Sequence, residues 1–367
     1  MRALADPTPV AEHALRAVEL GNREAGPMAV AFGFAAAARA RVLFDSDGAR
    51  DLYERAIAVW ERLPRTEASR HDASGAFVGL AELRLSAGDE PGAEAAFRAA
   101  IEAARMDGEL AFAYERFCWL PYRHGDFAGA ISLADEALAR LPPDARAPRA
   151  LVGSMTGWCL GRLHRIDESI TCLGGCVDAL DDDRDRALLA RVLDRLGMML
   201  PFAGRHAEAL ATLQRSLAIA LDLGDARGEL VRIHLGAALT RSGRAAEARP
   251  HAARALQLTE QMGDWYLDAV AAWMAAEMED ALGDDAAARA MRERELSRLA
   301  RIGGNPHNEA LSHAHLSHLA RRGGEQEVTA REAEIARALA ARDPDPGYAG
   351  RIEAALAVER WSELQSG

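Results

Sequence analysis

Apolar residues recur along most of this chain as paired helical stripes separated by a short polar turn. In the stretch LGMMLPFAGRHAEALATLQRSLA (196–218), Leu196, Gly197 and Leu200 share one helical face; after Gly204, Ala209, Leu213 and Leu217 share another. The spacing predicts two amphipathic helices that bury their stripes against each other across a Gly-Arg turn. The same pattern returns around Gly88, Gly125, His164, Gly204, Gly243, Gly283 and Gly323, at intervals of 37, 39, 40, 39, 40 and 40 residues. Five residues after each turn stands a small or aliphatic residue such as Ala93, Ala130, Ser169 or Ala209, and four further on stands Phe97, Ala134, Leu173, Leu213 or Ala252. Arg292 and Glu332 break the apolar rule in the last two units. A weaker unit turns near Asp45 to Gly48 and continues in DLYERAIAVWERL, which makes about eight helical pairs.

Small residues at a helix crossing let the two axes approach while Leu and Phe fill the space around them. Glycine at the turn ends the first helix by taking positive φ. The connectors DLGDARGEL, QMGDWYLDAV and LPPDARAPRAL carry the Asp and Pro residues that start the next helix. The expected fold is therefore all-α: a right-handed α-solenoid of about eight helix-turn-helix repeats with a period of about 40 residues. A single domain is expected, with an N-terminal cap over 1–27, repeats over 28–340 and a C-terminal cap over 341–367, the latter centred on a helix from Ala349 to Leu364 that carries Trp361.

The Leu-Gly pair in the first helix and the Ala and Leu positions in the second resemble the tetratricopeptide repeat (TPR) over roughly residues 28–340. The unit is longer than the family's usual length, and the family's Trp, Tyr and Pro anchors are few. Longer units with GR-x-A-E-A turns are similar to the helical sensor arms of LuxR-type, maltose-activator-like ATPase regulators. The resemblance implies a regulatory sensor module, although neither the nucleotide-binding nor the helix-turn-helix motif of those regulators stands in this chain.

Composition narrows the chemistry. Apolar residues make up 49% of the 367 residues but aromatics only 5%, and Ala and Leu dominate, as suits closely packed helices. All 44 basic residues are Arg, so lysine Schiff bases and phosphate loops of the G-x-x-x-x-G-K-[ST] kind are excluded. A net charge of -12 with interspersed Arg argues against a nucleic-acid partner. The longest apolar run, Met28 to Ala38, is about 11 residues and too short for a membrane span. Together with MRALADPTPV at the start and four cysteines expected to stay reduced, this predicts a cytoplasmic protein.

Cys159, His164, Cys172 and Cys176 suggest zinc only superficially: three of the four cysteines occupy small-residue positions and His164 replaces a turn glycine, so buried thiols are expected. His313, His315 and His318 lack an adjacent carboxylate and read as packing residues. Asp181, Asp182 and Asp185 spell the DDxxD spacing of terpene cyclases but fall at a helix start, where Asp caps free N–H groups. The Asp run or the His cluster would be the reactive centre of an all-α enzyme of specialised metabolism, the alternative reading. Pro121 and Pro201 are expected to bend the ends of first helices and tilt Tyr122 and Phe202 toward the groove.

The leading reading is a non-catalytic scaffold without cofactor or metal, which binds a protein segment, peptide or small effector along its concave face. First helices line that face, and there Trp119, Trp158, Met198 and Phe202 form the expected centre. Tyr122, Asp194, Trp273 and Glu277 lie on nearby faces, and Arg123, Arg162, Arg191 and Arg241 are placed to engage carboxylates or phosphates.

Overall fold

The computed structural model describes residues 6–43, 45–68, 71–225, 228–343 and 347–361, which build nineteen α-helices and no strand. They group into two compact units, Met1–Leu120 and Pro121–Gly367. The first holds α1 (Thr8–Glu19), α2 (Gly26–Val42), α3 (Ser46–Trp60), the single turn α4 (Arg65–Ala68), α5 (Ala73–Ser86), α6 (Glu90–Ala103) and most of α7 (Asp107–Arg123). The second holds α8 (Phe127–Arg140), α9 (Arg146–Arg162), α10 (Ile166–Asp178), α11 (Arg186–Met199), α12 (His206–Leu223), α13 (Val231–Arg241), α14 (Ala245–Met262), α15 (Trp265–Ala281), α16 (Asp285–Arg301), α17 (Pro306–Arg322), α18 (Gln326–Ala340) and α19 (Tyr348–Ala357). Of the expected pairs, α2/α3 and α5/α6 form in the first unit and α9/α10, α11/α12, α13/α14, α15/α16 and α17/α18 in the second, while the expected partners α7 and α8 straddle the division. None of the described helices is long and apolar enough to cross a membrane.

The turns follow the sequence pattern with one shift. Gly204 takes φ 72°, and His164, without a glycine's freedom, still takes φ 58°. In the last pair Gly323 stays right-handed and Gly324 takes the left-handed conformation at φ 75°, one residue later than expected. Two chemistries start the second helices. In D-x-x-G turns the Asp carboxylate accepts from the glycine N–H, as Asp89 does from Gly92 at 3.0 Å and Asp126 from Gly129 at 2.8 Å. A Cβ at Gly92 would stand 2.0 Å from the Asp89 carboxylate as placed, whereas at the start of α16 the Asp284 carboxylate makes the same cap on Ala287 N–H at 3.0 Å. In R-x-x-E turns an exposed ion pair replaces it: Arg165–Glu168, Arg205–Glu208 and Arg244–Glu247, each at 2.7 Å.

In two of the pairs, α9/α10 and α11/α12, a glycine of the first helix faces a leucine of the second. A Cβ on Gly157 would stand 2.7 Å from Leu173 Cγ, and one on Gly197 would stand 2.5 Å from Leu213 Cγ. Both leucines are fully buried. In the first unit the same device puts Gly33 of α2 against Ala56 of α3. In the second unit neighbouring first helices (α9, α11, α13, α15) touch one another, whereas each second helix packs on the first helix that follows it. That asymmetry puts the first helices on the inside of the curve.

The C-terminal helix α19 is shorter than the expected Ala349–Leu364: it ends at Ala357, and residues 362–367 lie outside the described residues. Arg321 of α17 donates to the carbonyls of Leu356 and Val358 and so closes that end. Trp361 follows in a turn and is buried.

The seam gives a sign-reversing prediction. Alanine raises helix propensity over glycine by about 1 kcal/mol, while forcing a methyl into a filled seam costs about 1–3 kcal/mol. Gly197→Ala is therefore expected to be neutral or destabilising in the native background. In a Leu213→Ala background, where the obstructing Cγ is gone, it stabilises by about 1 kcal/mol. Urea unfolding of the four proteins checks this, and equal effects in both backgrounds would contradict it.

Candidate functional site

Four successive first helices of the second unit bring most of the sequence-predicted residues onto one inner face. Trp158 of α9 is buried, with its ring centroid 6.3 Å from Tyr122 and 5.6 Å from His234 of α13. His234 Nδ1 stands 2.7 Å from Asp194 Oδ1 of α11, and both side chains remain partly exposed. About two turns further along α13, the Arg241 guanidinium sits 4.9 Å from the ring centroid of Phe202 and 5.9 Å from that of Trp273 of α15. Glu277 Oε2 lies 3.9 Å from Arg241 Nη2, and burial lowers the pKa of this guanidinium. Met198 is buried and Arg191 half-buried on the same helix, α11. Trp119 is half-buried in the first unit, and so is described with that unit. Pro121 lies inside α7, and Pro201 opens a 3-10 turn, Leu200–Ala203, that carries Phe202.

The second unit also closes on itself, which sequence reasoning did not find. Arg162 Nη2 donates to Asn308 Oδ1 at 3.0 Å, and Asn305 Nδ2 donates to the carbonyl of Arg123 at 2.6 Å. The Arg123 guanidinium lies 5.6 Å from the ring centroid of Tyr266, and that of Arg162 lies 5.4 Å from Phe127. His307 stands edge-on to Phe127, stacks on Tyr348 at 4.0 Å and places Nδ1 2.8 Å from Asp343 Oδ2. Burial pushes Tyr122 and Tyr266 above the usual phenol range, so both hydroxyls stay protonated. Arg123 and Arg162, expected to engage a ligand, thus already hold partners in this seam. The one sequence signal was Asn305 before Pro306, which does cap α17 by accepting from Asn308 N–H at 2.9 Å.

Beside this face lies a buried ionic cluster. Arg292 is fully buried and donates to Glu295 at 2.8 Å, to Glu277 at 3.3 Å and, through Nε, to His315 Nδ1 at 2.7 Å. Burial raises the Glu295 carboxyl. His315 Nε2 points at Asp280 Oδ2, 3.4 Å away, and its ring stacks on Trp361 at 4.2 Å. Glu332 is likewise buried, 2.7 Å from both His313 Nδ1 and Arg331 Nη2. The two residues that broke the apolar repeat rule are therefore the ones whose charges are matched across the helix pair.

The remaining candidates fold into local roles. Asp181 Oδ1 accepts from the N–H groups of Asp183 and Arg184, and Asp185 turns back to accept from Asp181 N–H. Asp182 pairs with Arg215 at 2.7 Å. The four cysteines are free thiols; burial pushes Cys159 up to about 12, and Cys172 donates to the Gly153 carbonyl.

No protein-family model matches the chain, and no curated protein matches its sequence. Solved structures do resemble it in fold. A Rap protein complexed with Competence and Sporulation Factor superposes with a TM-score of 0.54 at 14% identity, covering 91% of this chain and 100% of that one. The apo form of RapI gives 0.52 at 11% identity over 72% of this chain and 97% of that one. A signal-transduction ATPase with numerous domains from Pyrococcus horikoshii, which carries a tetratricopeptide repeat sensor, gives 0.50 at 16% identity over 84% of this chain and 48% of that one. The chain has a TPR-like fold. In TPR-like terms, α9, α11, α13 and α15 are first helices.

The buried histidines make this TPR-like fold sensitive to acid. A guanidinium N–H donating into Nδ1 requires a neutral imidazole; burial and the charge of Arg292 push His315 down to about 3. Burial and Arg162 push His307 down to about 4. Because both folded values lie below the unfolded value of about 6.5, stability is complete above pH 6.5 and is lost as pH falls. Between pH 6.5 and 5 each residue contributes a slope of up to about 1.4 kcal/mol per pH unit. His315→Gln is expected to flatten the stability profile in that window, measured by urea unfolding at stepped pH; an unchanged slope would contradict the assignment.

Proposed function

We propose that this protein is a non-catalytic regulatory scaffold that captures a peptide or extended protein segment along the inner face of α9, α11, α13 and α15. The observation that carries the reading is a pair of aromatic and charged clusters on these helices and the turn after α11: Trp158 with His234 and Asp194, and Arg241 with Phe202 and Trp273. These side chains lie off the Gly–Leu seams, so repeat packing does not account for their chemistry. Trp, Tyr, Phe and Arg anchor interfaces through large rigid contact areas and planar donors.

Length favours a peptide over a small effector. Four adjacent helices at about 8–10 Å spacing span about 25–30 Å, the reach of an extended segment of about eight residues. The Rap protein of similar fold is complexed with Competence and Sporulation Factor, and the ATPase of similar fold carries its repeats as a sensor. Both support a ligand-sensing role. Four free thiols suit the reducing cytoplasm in which we place the protein.

The reading is tested with a pool of synthetic octapeptides randomised at every position. Immobilised wild-type protein is expected to enrich a defined subset, and Trp158→Ala with Trp273→Ala to reduce that enrichment by at least about 10-fold, the loss of about 1.4 kcal/mol of contact. Circular dichroism verifies that the double variant stays helical. Enrichment undiminished by the folded double variant would refute the face as the binding site.

A further inference from the structure

The apolar run from Met28 to Ala38, too short to span a membrane, lies within α2 of the first unit and makes that helix apolar on both sides. One side is used for packing: Ala29, Val30, Gly33, Ala36 and Ala37 are buried, and a Cβ on Gly33 would stand 2.6 Å from that of Ala56 of α3. The other side faces water. Met28, Ala31, Phe32, Ala35, Ala38 and Val42 are exposed there at helical spacing, with Arg39 as the one charged residue in the stripe. A helix apolar all round belongs in an interior, yet Met28 is 53% exposed and Val42 74%. Six of the eleven exposed large apolar residues among the described residues fall between Val10 and Leu43, so this exposure is concentrated in and beside α1 and α2, not scattered singly.

We infer that the α2 stripe is an interface with a second copy of this chain, in which two α2 helices pack antiparallel about a two-fold axis near Ala35. Two observations choose that occupant. The first is that the stripe contains its own complement. With the axis at Ala35, Phe32 of one copy meets Ala38 of the other and Met28 meets Val42, while Ala31 and Ala35 let the helix axes approach. A parallel pair would set Phe32 on Phe32 and hold the alanines apart. The second is charge. A net charge of -12 opposes self-association over the surface as a whole, but the stripe carries no carboxylate, and Arg39 is already paired with Asp6 of its own chain at 3.5 Å. A charged partner finds no complementary group there, whereas a second neutral stripe meets no repulsion. Arg39 falls opposite Ala31 of the other copy, where its stem covers the methyl group and its head stays in water. An interface built on one helix pair is small, so the association is weak and depends on concentration.

Sedimentation equilibrium from about 1 to about 100 μM tests the pairing. Wild-type protein is expected to move from the 39.5 kDa of one chain toward twice that mass as concentration rises. Ala35→Glu, which sets two like charges at the axis, is expected to weaken association at least 10-fold without lowering the melting temperature of the dilute protein, because the position is exposed. Disulfide trapping with a mild oxidant checks the direction of the helices. Ala35→Cys should yield a covalent dimer that wild type, with its four native thiols, does not. Met28→Cys should not, because 14 residues of helix, about 21 Å, separate the two copies of position 28 along an antiparallel pair. The inference is overturned if wild type remains a single chain at the highest concentration, which assigns the stripe to some other occupant, if Ala35→Glu associates like wild type, or if Met28→Cys is trapped as readily as Ala35→Cys.

Discussion

The central repeats depend on one close approach, in which a residue without a side chain on the first helix receives a leucine from the second. Gly157 with Leu173 and Gly197 with Leu213 leave no room for even a methyl group. Such a contact fixes the distance and rotation of the two helices together, because dispersion and burial both fall away if either changes. The pairs then behave as rigid bricks. Direct contact between successive first helices, without the same contact between second helices, turns a row of bricks into a curve. The side chains that emerge from first helices away from the seam are thereby gathered on the inside without being consumed by packing.

The last repeats solve the same packing problem with charge. Arg292 and Glu332 occupy positions where earlier units carry Phe, Leu or Ala, and a buried ion is tolerable only when its partners are placed by the fold. Glu277, Glu295 and His315 surround Arg292, and His313 and Arg331 hold Glu332. Asp268 is treated in the same way, accepting from Arg294, Arg298 and Thr259. Aliphatic residues pack in many arrangements of similar energy, whereas a hydrogen-bonded ion accepts few. The hydrogen-bond geometry of these buried ions thus constrains how the last helices can pack.

What could be read from the sequence was whatever repeats locally. The turn residues and the small-residue crossings declare themselves within about 20 residues, the period follows from their recurrence at 37–40 residues, and His164 was recognisable as a turn residue from its phase alone. The Gly323 turn shifted to Gly324 because two adjacent glycines make the position degenerate. The end of α19 escaped because the group that closes it, Arg321, lies 35 residues earlier. The seam joining Arg162 to Asn308 spans 146 residues and has no periodic signature, so Tyr266, Asn305 and His307 were invisible as neighbours of α9. His234 was missed for a subtler reason: its importance comes from facing Asp194 and Trp158 across two different helices. By contrast, the ionic core had announced itself, since Arg292 and Glu332 violated the repeat rule.

Arg292 and Arg241 bring these strands together, being the same residue type buried to a similar degree in adjoining repeats. Arg292 projects from a second helix into the seam of its own pair, where α15, α16 and α17 converge and each contributes an acceptor. Arg241 ends a first helix and projects to the inside of the curve, where its neighbours are the faces of Phe202 and Trp273. An aromatic face attracts a cation but accepts no full hydrogen bond, so it can hold a guanidinium in place without completing it. Packing requirements thus explain the surroundings of Arg292 fully and those of Arg241 only in part. The unexplained remainder sits on the inner face, where a solenoid offers surface not required for its own assembly.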